Sequence, residues 1–255
     1  MKQTRNITMS LFLIAAQAIQ AQTVNEIIDT YFENTGGKAQ WESLQGMKMK
    51  AKVNQMGMEI PLEIVQLKSG KQMTVINFQG QQMKQGVFDG EILWNINMMT
   101  QKAEKSDQES TDNMKREMGD FPDPFLNYEA RGYTAELMGT EEMDGAECFK
   151  IKLTKKPLVI DGEEVENVSF YFFDTENYVP LVVHSEIKSG PMKGQMSEIK
   201  MSDYQEVGGL YFPFSMVQGL KGQEGQTISL DEIVINPEID ASEFAFPEDS
   251  DSDSK

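Results

Sequence analysis

Apolar and polar residues recur along this chain at two periods. Val24, Ile27, Ile28, Tyr31 and Phe32 fall at i, i+3, i+4, i+7 and i+8, which is one stripe of an amphipathic helix. Thr23 with Glu26 makes a capping-box pattern at its start, and Gly36-Gly37 supplies the left-handed geometry that ends it. So short a helix needs a surface to lie on. From residue 46 the period becomes two, with Met47, Met49, Ala51 and Val53 alternating against Lys48, Lys50, Lys52 and Asn54. One face of that strand is buried and the other wet. Turn signals follow at Gly57, Ser69-Gly70, Gly80, Asp89-Gly90, Asp144-Gly145, Asp161-Gly162, Gly208-Gly209 and Gly222.

This spacing predicts antiparallel hairpins and about eleven strands. They cover residues 46–56, 58–68, 71–79, 82–88, 91–97, 133–141, 146–154, 165–173, 178–188, 195–206 and 210–235, the last divided as a hairpin. No alternation of strand and helix is present, so a parallel sheet is disfavoured. Residues 104–132 break the meander. Ser106 and Glu109 suggest a helix cap, Met114 and Met118 lie four apart, and Phe121-Pro122-Asp123-Pro124-Phe125-Leu126 forms a kinked apolar tip. An insertion of this length reads as a lid over the sheet, the alternative being an excursion packed permanently on it.

The ends of the chain set its compartment. Lys2 and Arg5 precede an apolar run from Ile7 to Ala16, with small residues at Ala16, Ala18 and Ala21, the pattern of a cleaved secretory signal peptide over residues 1–21. The run is too short to cross a bilayer as a helix. Cleavage is expected after Ala18 or Ala21, and no cysteine follows either, so acylation is not expected and the mature chain reads as a periplasmic protein without a stable membrane anchor. Residues 22–247 form one domain in this reading, and the tail 248–255, acid alternating with serine, is expected to be disordered. Removing residues 1–21 takes two bases and no acid, moving the formal charge from −18 to −20. That charge repels phosphate backbones and argues against nucleic-acid partners.

Little in the composition points to catalysis. The single histidine, His184, and the single cysteine, Cys148, lie far apart in sequence, which leaves no zinc-ligand pattern. Ser185 takes the opposite strand face from His184, so the two do not form a nucleophile pair. No phosphate loop or nucleophile elbow is present. With 41 acidic residues some carboxylates fall close together, but nothing singles out a pair. Methionine is the unusual residue. There are 18, and Met47, Met49, Met56, Met58, Met73 and Met83 fall in the first four strands, with Met192, Met196, Met201 and Met216 in the last ones. Unbranched thioethers repack around apolar ligands of different shape, although a loosely patterned core gives the same count. A copper(I) site at the two Met-x-Met pairs lacks a supporting histidine or cysteine cluster.

The order of segments carries a resemblance. An opening helix ends at Gly36-Gly37 with Trp41 close behind, and Val87-Phe88-Asp89-Gly90-Glu91-Ile92-Leu93-Trp94 follows. Then come Asp203-Tyr204-Gln205-Glu206-Val207-Gly208-Gly209-Leu210-Tyr211-Phe212-Pro213 and Ile239-Asp240-Ala241-Ser242-Glu243-Phe244. In this order they resemble the outer-membrane lipoprotein-sorting protein family, relatives of the LolA and LolB periplasmic lipoprotein carriers. The resemblance implies an open, incomplete antiparallel β-barrel with an N-terminal helix and a helical lid over an apolar concave face. It also implies a cavity arginine on an early strand, whereas residues 46–68 contain lysines and no arginine. This departure points away from lipoprotein handover and toward the binding of some lipid or hydrophobic envelope molecule.

The expected function is that of a periplasmic carrier, not an enzyme and without cofactor or metal. It would hold a lipid, a lipoprotein acyl chain or another hydrophobic molecule. A sensor or interaction module, whose barrel receives a segment of a transient envelope protein partner, is the alternative. Met47, Met49, Val53, Met58, Ile60, Leu62, Met73, Val75 and Trp94 are the expected cavity lining. Met114, Met118, Phe121, Phe125 and Leu126 are the expected lid residues.

Overall fold

The computed structural model describes residues 22–55 and 57–247; the signal peptide expected over 1–21 and the tail 248–255, expected to be disordered, lie outside them. The chain opens with α1 (Val24–Asn34) and α2 (Lys38–Ser43). Six strands follow, β1 (Gly46–Gln55), β2 (Met58–Leu67), β3 (Gln72–Phe78), β4 (Gln81–Phe88), β5 (Leu93–Ile96) and β6 (Ala103–Lys105), and then α3 (Gln108–Glu117). The second half contains β7 (Thr134–Met143), β8 (Ala146–Thr154), a small hairpin β9 (Leu158–Ile160) and β10 (Glu163–Val165), and β11 (Val168–Asp174). It closes with β12 (Pro180–Glu186), β13 (Met196–Val207), β14 (Leu210–Leu220) and β15 (Gln226–Ile235).

Among the described residues, thirteen of these strands form one antiparallel sheet in the order β6-β5-β4-β3-β2-β1-β15-β14-β13-β12-β11-β8-β7. The sheet does not close, so the fold is the open barrel that the sequence implies. Strands β6, β9 and β10 have three residues each, too few to show a period of two, which is why the turn spacing misses them.

Directly paired residues share a face of the sheet. Met49 pairs with Ile64 and Ile233, Ala51 with Leu62 and Leu230, and Val53 with Ile60 and Ile228. This set defines the concave face, and α1 lies on it. Thr23 and Glu26 cap α1 reciprocally, as the capping-box pattern requires, and Ile27, Ile28, Tyr31 and Phe32 are its buried stripe. Gly36, at φ +116°, lies so close to the carbonyl oxygen of Gly209 that a β-carbon would collide with it. This contact seats the helix end on the β13–β14 turn. Trp41 of α2 stacks edge-on against Phe212 at 5.2 Å and donates its indole N–H to Thr35. Met47, Ala51, Ile151, Leu153, Phe173, Leu230 and Ile233 complete this main core from the sheet.

The opposite face has a core of its own. Val65 pairs with Lys48 and Met73, and Glu63 with Lys50 and Val75, so Met73 and Val75 share the face of the lysines. Val65, Met73, Val75, Val87 and Trp94 are buried there under Phe244, with Ile239 and Phe246 packed alongside. The Trp94 indole donates to the Phe244 carbonyl at 2.9 Å. Both faces of β2–β4 are therefore apolar, one toward the concavity and one toward the closing segment of the chain. Phe244 is fully buried, so Phe244→Ala should cost about 3–5 kcal/mol and open Trp94 to water. Denaturant unfolding followed by tryptophan emission checks this, and an unchanged midpoint would show that the closing segment does not support the sheet.

Candidate functional site

The two edge strands of the sheet, β6 and β7, are consecutive in the chain. The 28 residues between Lys105 and Thr134 therefore form a strap across the gap of the barrel. Asp107 caps α3 by accepting from the Ser110 amide at 2.7 Å; the cap is Asp107, one residue beyond the Ser106 that the sequence suggests. The strap is tied to the β9–β10 hairpin by side chains that bond main chain. Asn113 donates to the Val159 carbonyl at 2.6 Å and accepts from its amide at 2.9 Å. Glu109 accepts from the amides of Asp161 and Gly162 at 3.0 and 2.8 Å. On the other side Lys115 pairs with Glu91 at 3.0 Å.

Beneath α3 lies a cavity of about 310 Å³, lined by Gln66, Gln72 and Lys155 from the sheet side and by Met114, Met118 and Phe121 from the strap. Gly70, at φ +87°, leaves room for Met118 on the β2–β3 turn; a β-carbon there would come within 2.8 Å of the methionine. Lys155 bonds Glu117 at 2.9 Å and Asp120 at 2.7 Å. Burial opposes its charge, but the two carboxylates raise its pKa overall. Arg131 gives its donors to the main-chain carbonyls of Gly119, Asp123 and Leu126 and pairs with Asp120 at 3.5 Å.

Further in, the kinked tip turns into the main core. Phe125 and Leu126 are buried at 2% and 6% exposure, and Phe125 packs edge-on against Tyr171 and Phe173 at 4.8 and 5.3 Å. Between them Asp123 accepts from the Phe125 amide at 2.7 Å and from the Tyr31 hydroxyl at 2.9 Å. Burial pushes its carboxyl up to about 6, although the amide and the tyrosine hydroxyl pull the other way. Burial raises Tyr31, Tyr171 and Tyr204 as well, and the charge of Asp123 adds to each. Asp123 is thus the common neighbour of three tyrosine side chains. Asp123, Tyr171 and Tyr204 each keep part of their surface accessible.

The expected site residues divide between the two faces. Met47, Met49, Val53, Ile60 and Leu62 share the concave face; Met47 is part of the packed core, while Met49 and Leu62 pack beside it and stay partly accessible. Met58 has the same parity but is 50% exposed at the hairpin tip. Met73, Val75 and Trp94 do not join them, because the register carries all three to the outer face. In the strap, Met114, Met118 and Phe121 border the cavity, whereas Phe125 and Leu126 anchor the tip in the core. The sequence reading passed over Asp123, Tyr171, Phe214 and Ile228. The signal for Asp123 was a carboxylate flanked on both sides by Pro and Phe.

Other reactive groups are occupied elsewhere. His184, 2% exposed, bonds Glu198 at 2.8 Å and stacks edge-on with Phe172 at 4.9 Å. Ser185 faces the other way and bonds Ser169 at 2.7 Å. Burial pushes the Cys148 thiol up to about 11. Among the described residues no group of three or more His, Cys, Asp or Glu could hold a metal ion, and no helix is long and apolar enough to cross a membrane.

Asp123 gives stability a specific pH dependence. Its folded pKa of about 6 exceeds the unfolded value of about 3.9. Within that window the folded chain holds a proton that the unfolded chain has released. Its contribution to stability therefore falls as pH rises from about 4 to 6 and is flat beyond, by up to about 3 kcal/mol in all. The difference in unfolding free energy between the native chain and Asp123→Asn, measured by denaturation at pH 4.5 and pH 7.5, should move in favour of the variant as pH rises. A difference that does not change with pH would mean that Asp123 is ionised throughout.

No family model matches the chain, and no curated protein does. Solved structures match its fold. A DUF1329 family protein from Desulfovibrio piger shares 13% identity over 88% of this chain and 98% of its own, with a TM-score of 0.53. A LolA superfamily protein from Nitrosomonas europaea shares 13% over 90% and 99%, at 0.52. A domain from Vibrio parahaemolyticus assigned to outer-membrane lipoprotein sorting shares 10% over 85% and 95%, also at 0.52. These matches run nearly end to end through the neighbours and through the described sheet, and they agree with the resemblance read from the sequence: the chain has the LolA-like fold.

Proposed function

We propose that this protein is an exported, non-enzymatic carrier that holds the apolar chain of a lipid-like molecule against the concave face of its open sheet, beneath the strap. One observation carries the reading. Met49, Leu62, Phe121, Phe214 and Met216 pack against the main core and yet remain partly accessible. They form an apolar wall that the protein's own helices do not cover completely. Covering such a wall with an acyl chain is worth about 0.8 kcal/mol per methylene. Two of the structural neighbours are a lipoprotein-sorting domain and a LolA superfamily protein, which agrees with the reading at the level of fold. The strap gives a route of entry, since its ties to the β9–β10 hairpin are hydrogen bonds and its tie to the β4–β5 turn is one partly exposed ion pair, Lys115–Glu91.

The sheet itself supplies the controls. Met49 points into the concavity, and Lys50, one residue on, points out and pairs with Glu232 at 2.7 Å in the open. Binding of a fluorescent apolar probe such as N-phenyl-1-naphthylamine should be lost in Met49→Asp, where a carboxylate opposes an apolar occupant by several kcal/mol. Lys50→Asp should change binding less than about twofold and stability by no more than about 1 kcal/mol. Two folded variants that behave alike would remove the concave face as the site. Native mass spectrometry of protein taken from its own envelope should show copurifying lipid; a stoichiometric polypeptide in its place would favour a protein-binding module.

The strap should open without the sheet unfolding. Asn113→Ala removes both bonds to Val159, so amide exchange over residues 107–120 should rise about tenfold or more while β1 and β15 keep their protection. Added N-phenyl-1-naphthylamine should slow exchange in the strap of the native chain. Strap protection that rises and falls only with the whole sheet would show a fixed covering and no route of entry.

A further inference from the structure

Beside the partly accessible apolar residues of the concave face lies one polar cluster, an aspartate among three tyrosines. Asp123 reaches it from the strap, Tyr31 from α1, Tyr171 from β11 and Tyr204 from β13. The Tyr204 hydroxyl donates to the Pro180 carbonyl and the Tyr31 hydroxyl to Asp123. Among the described residues the Tyr171 hydroxyl has no hydrogen-bond partner in the protein, while no fully enclosed side-chain polar atom is left unpaired. The Tyr171 hydroxyl therefore opens onto free space. The Asp123 carboxylate accepts one bond on each oxygen, from Phe125 and from Tyr31. A carboxylate offers roughly four acceptor positions, so it can take further donors.

The charges around this point sum to a net negative. Arg131 and Lys155 are the nearby cations, set against Glu117, Asp120 and Asp123. Lys155 is occupied by Glu117 and Asp120. The Arg131 donors go to main-chain carbonyls and to Asp120, and none reaches the Asp123 carboxylate. Two cations face three carboxylates, and the carboxylate nearest the hollow is held by neutral donors alone. An anion placed against it would meet like charge at low dielectric, and a donor would meet an open acceptor.

On the reading that the hollow takes an apolar chain, we infer that it selects its occupant by the polar end: it accepts a single-chain amphiphile whose head is a neutral or cationic hydrogen-bond donor, a hydroxyl or an ammonium group, and refuses one whose head is an anion. Asp123 accepts from that head and Tyr171 bonds beside it. The tail runs from this point along Phe214, Met216 and Met49 toward the cavity under α3.

Three ten-carbon probes differing only in the head, decanol, decylamine and decanesulfonate, test this by displacing N-phenyl-1-naphthylamine from the mature protein at pH 8. Decanol and decylamine should displace it at concentrations about tenfold or more below decanesulfonate. In Asp123→Asn the gap should close to about twofold, with decylamine losing most. Tyr171→Phe should weaken decanol several-fold and leave the refusal of decanesulfonate in place. If Asp123→Asn does not fold, the order of the three heads on the native chain together with Tyr171→Phe decides. Equal binding of the three heads, or a gap that persists in folded Asp123→Asn, overturns this inference and leaves the carrier reading standing. Failure of N-phenyl-1-naphthylamine itself to bind overturns both.

Discussion

An antiparallel sheet that stops short of closure has two exposed edges and one apolar concave face, and none of these can be left bare in water. In this protein α1 and α2 cover much of the concave face, and one connection spans the gap between the two edges. Because β6 and β7 are neighbours in sequence but lie at opposite ends of the sheet, the chain between them cannot be a hairpin and must cross the gap. Ten residues of α3 span about 15 Å, and the tip that follows drives Phe125 and Leu126 into the core. Half of the strap is thus fixed by packing. The other half is held by polar bonds to the β9–β10 hairpin, with the cavity beneath it. The division of anchoring along one segment makes it both a cover for the fold and a candidate gate.

The same geometry explains where the polar groups lie. A strap over an apolar hollow brings its own backbone with it, and the main-chain groups of a kinked tip require partners. Arg131 satisfies the carbonyls of Gly119, Asp123 and Leu126, Tyr133 donates to Asp120, and the Asp123 side chain takes the Phe125 amide. The charged cluster under the strap is therefore first a device for turning the chain. Asp123 bonds Arg131 through its main-chain carbonyl, its carboxylate takes only neutral donors, and burial raises its pKa. A group placed for a structural reason then confronts whatever enters the hollow.

Much of this was legible in the sequence. The capping box and apolar stripe of α1, the alternation in β1, the hairpin spacing and the break at the strap all follow from periodicity and turn chemistry. The division of the lining residues between two faces was not legible, for a physical reason. In β3, Met73-Thr74-Val75-Ile76 carries apolar residues on both faces, since Val75 packs under the closing segment and Ile76 pairs with Leu62 on the concave side. A period of two cannot say which face is which when both are buried, and one bulge reverses the parity of all that follows. Register shifts of this kind lie between Gln72 and Thr74 and between Lys50 and Ala51. Trp94 depends in addition on Phe244, 150 residues away, a partner that no local pattern reveals.

The methionines take a clearer meaning from the two faces. Met73 lies under the closing segment, where it fills fixed space. Met49 and Met216 stand on the concave face beside the main core, and Met114 and Met118 border the cavity under α3. The scaffold behind them is rigid: a thirteen-stranded sheet with branched and aromatic residues in its main core. Flexible lining on a stiff frame lets the occupied volume vary while the backbone stays in place. A site of this kind fixes its occupant weakly along the tail. On the proposed reading, discrimination would come from the few polar groups of fixed position, the cluster of Asp123 with Tyr31, Tyr171 and Tyr204.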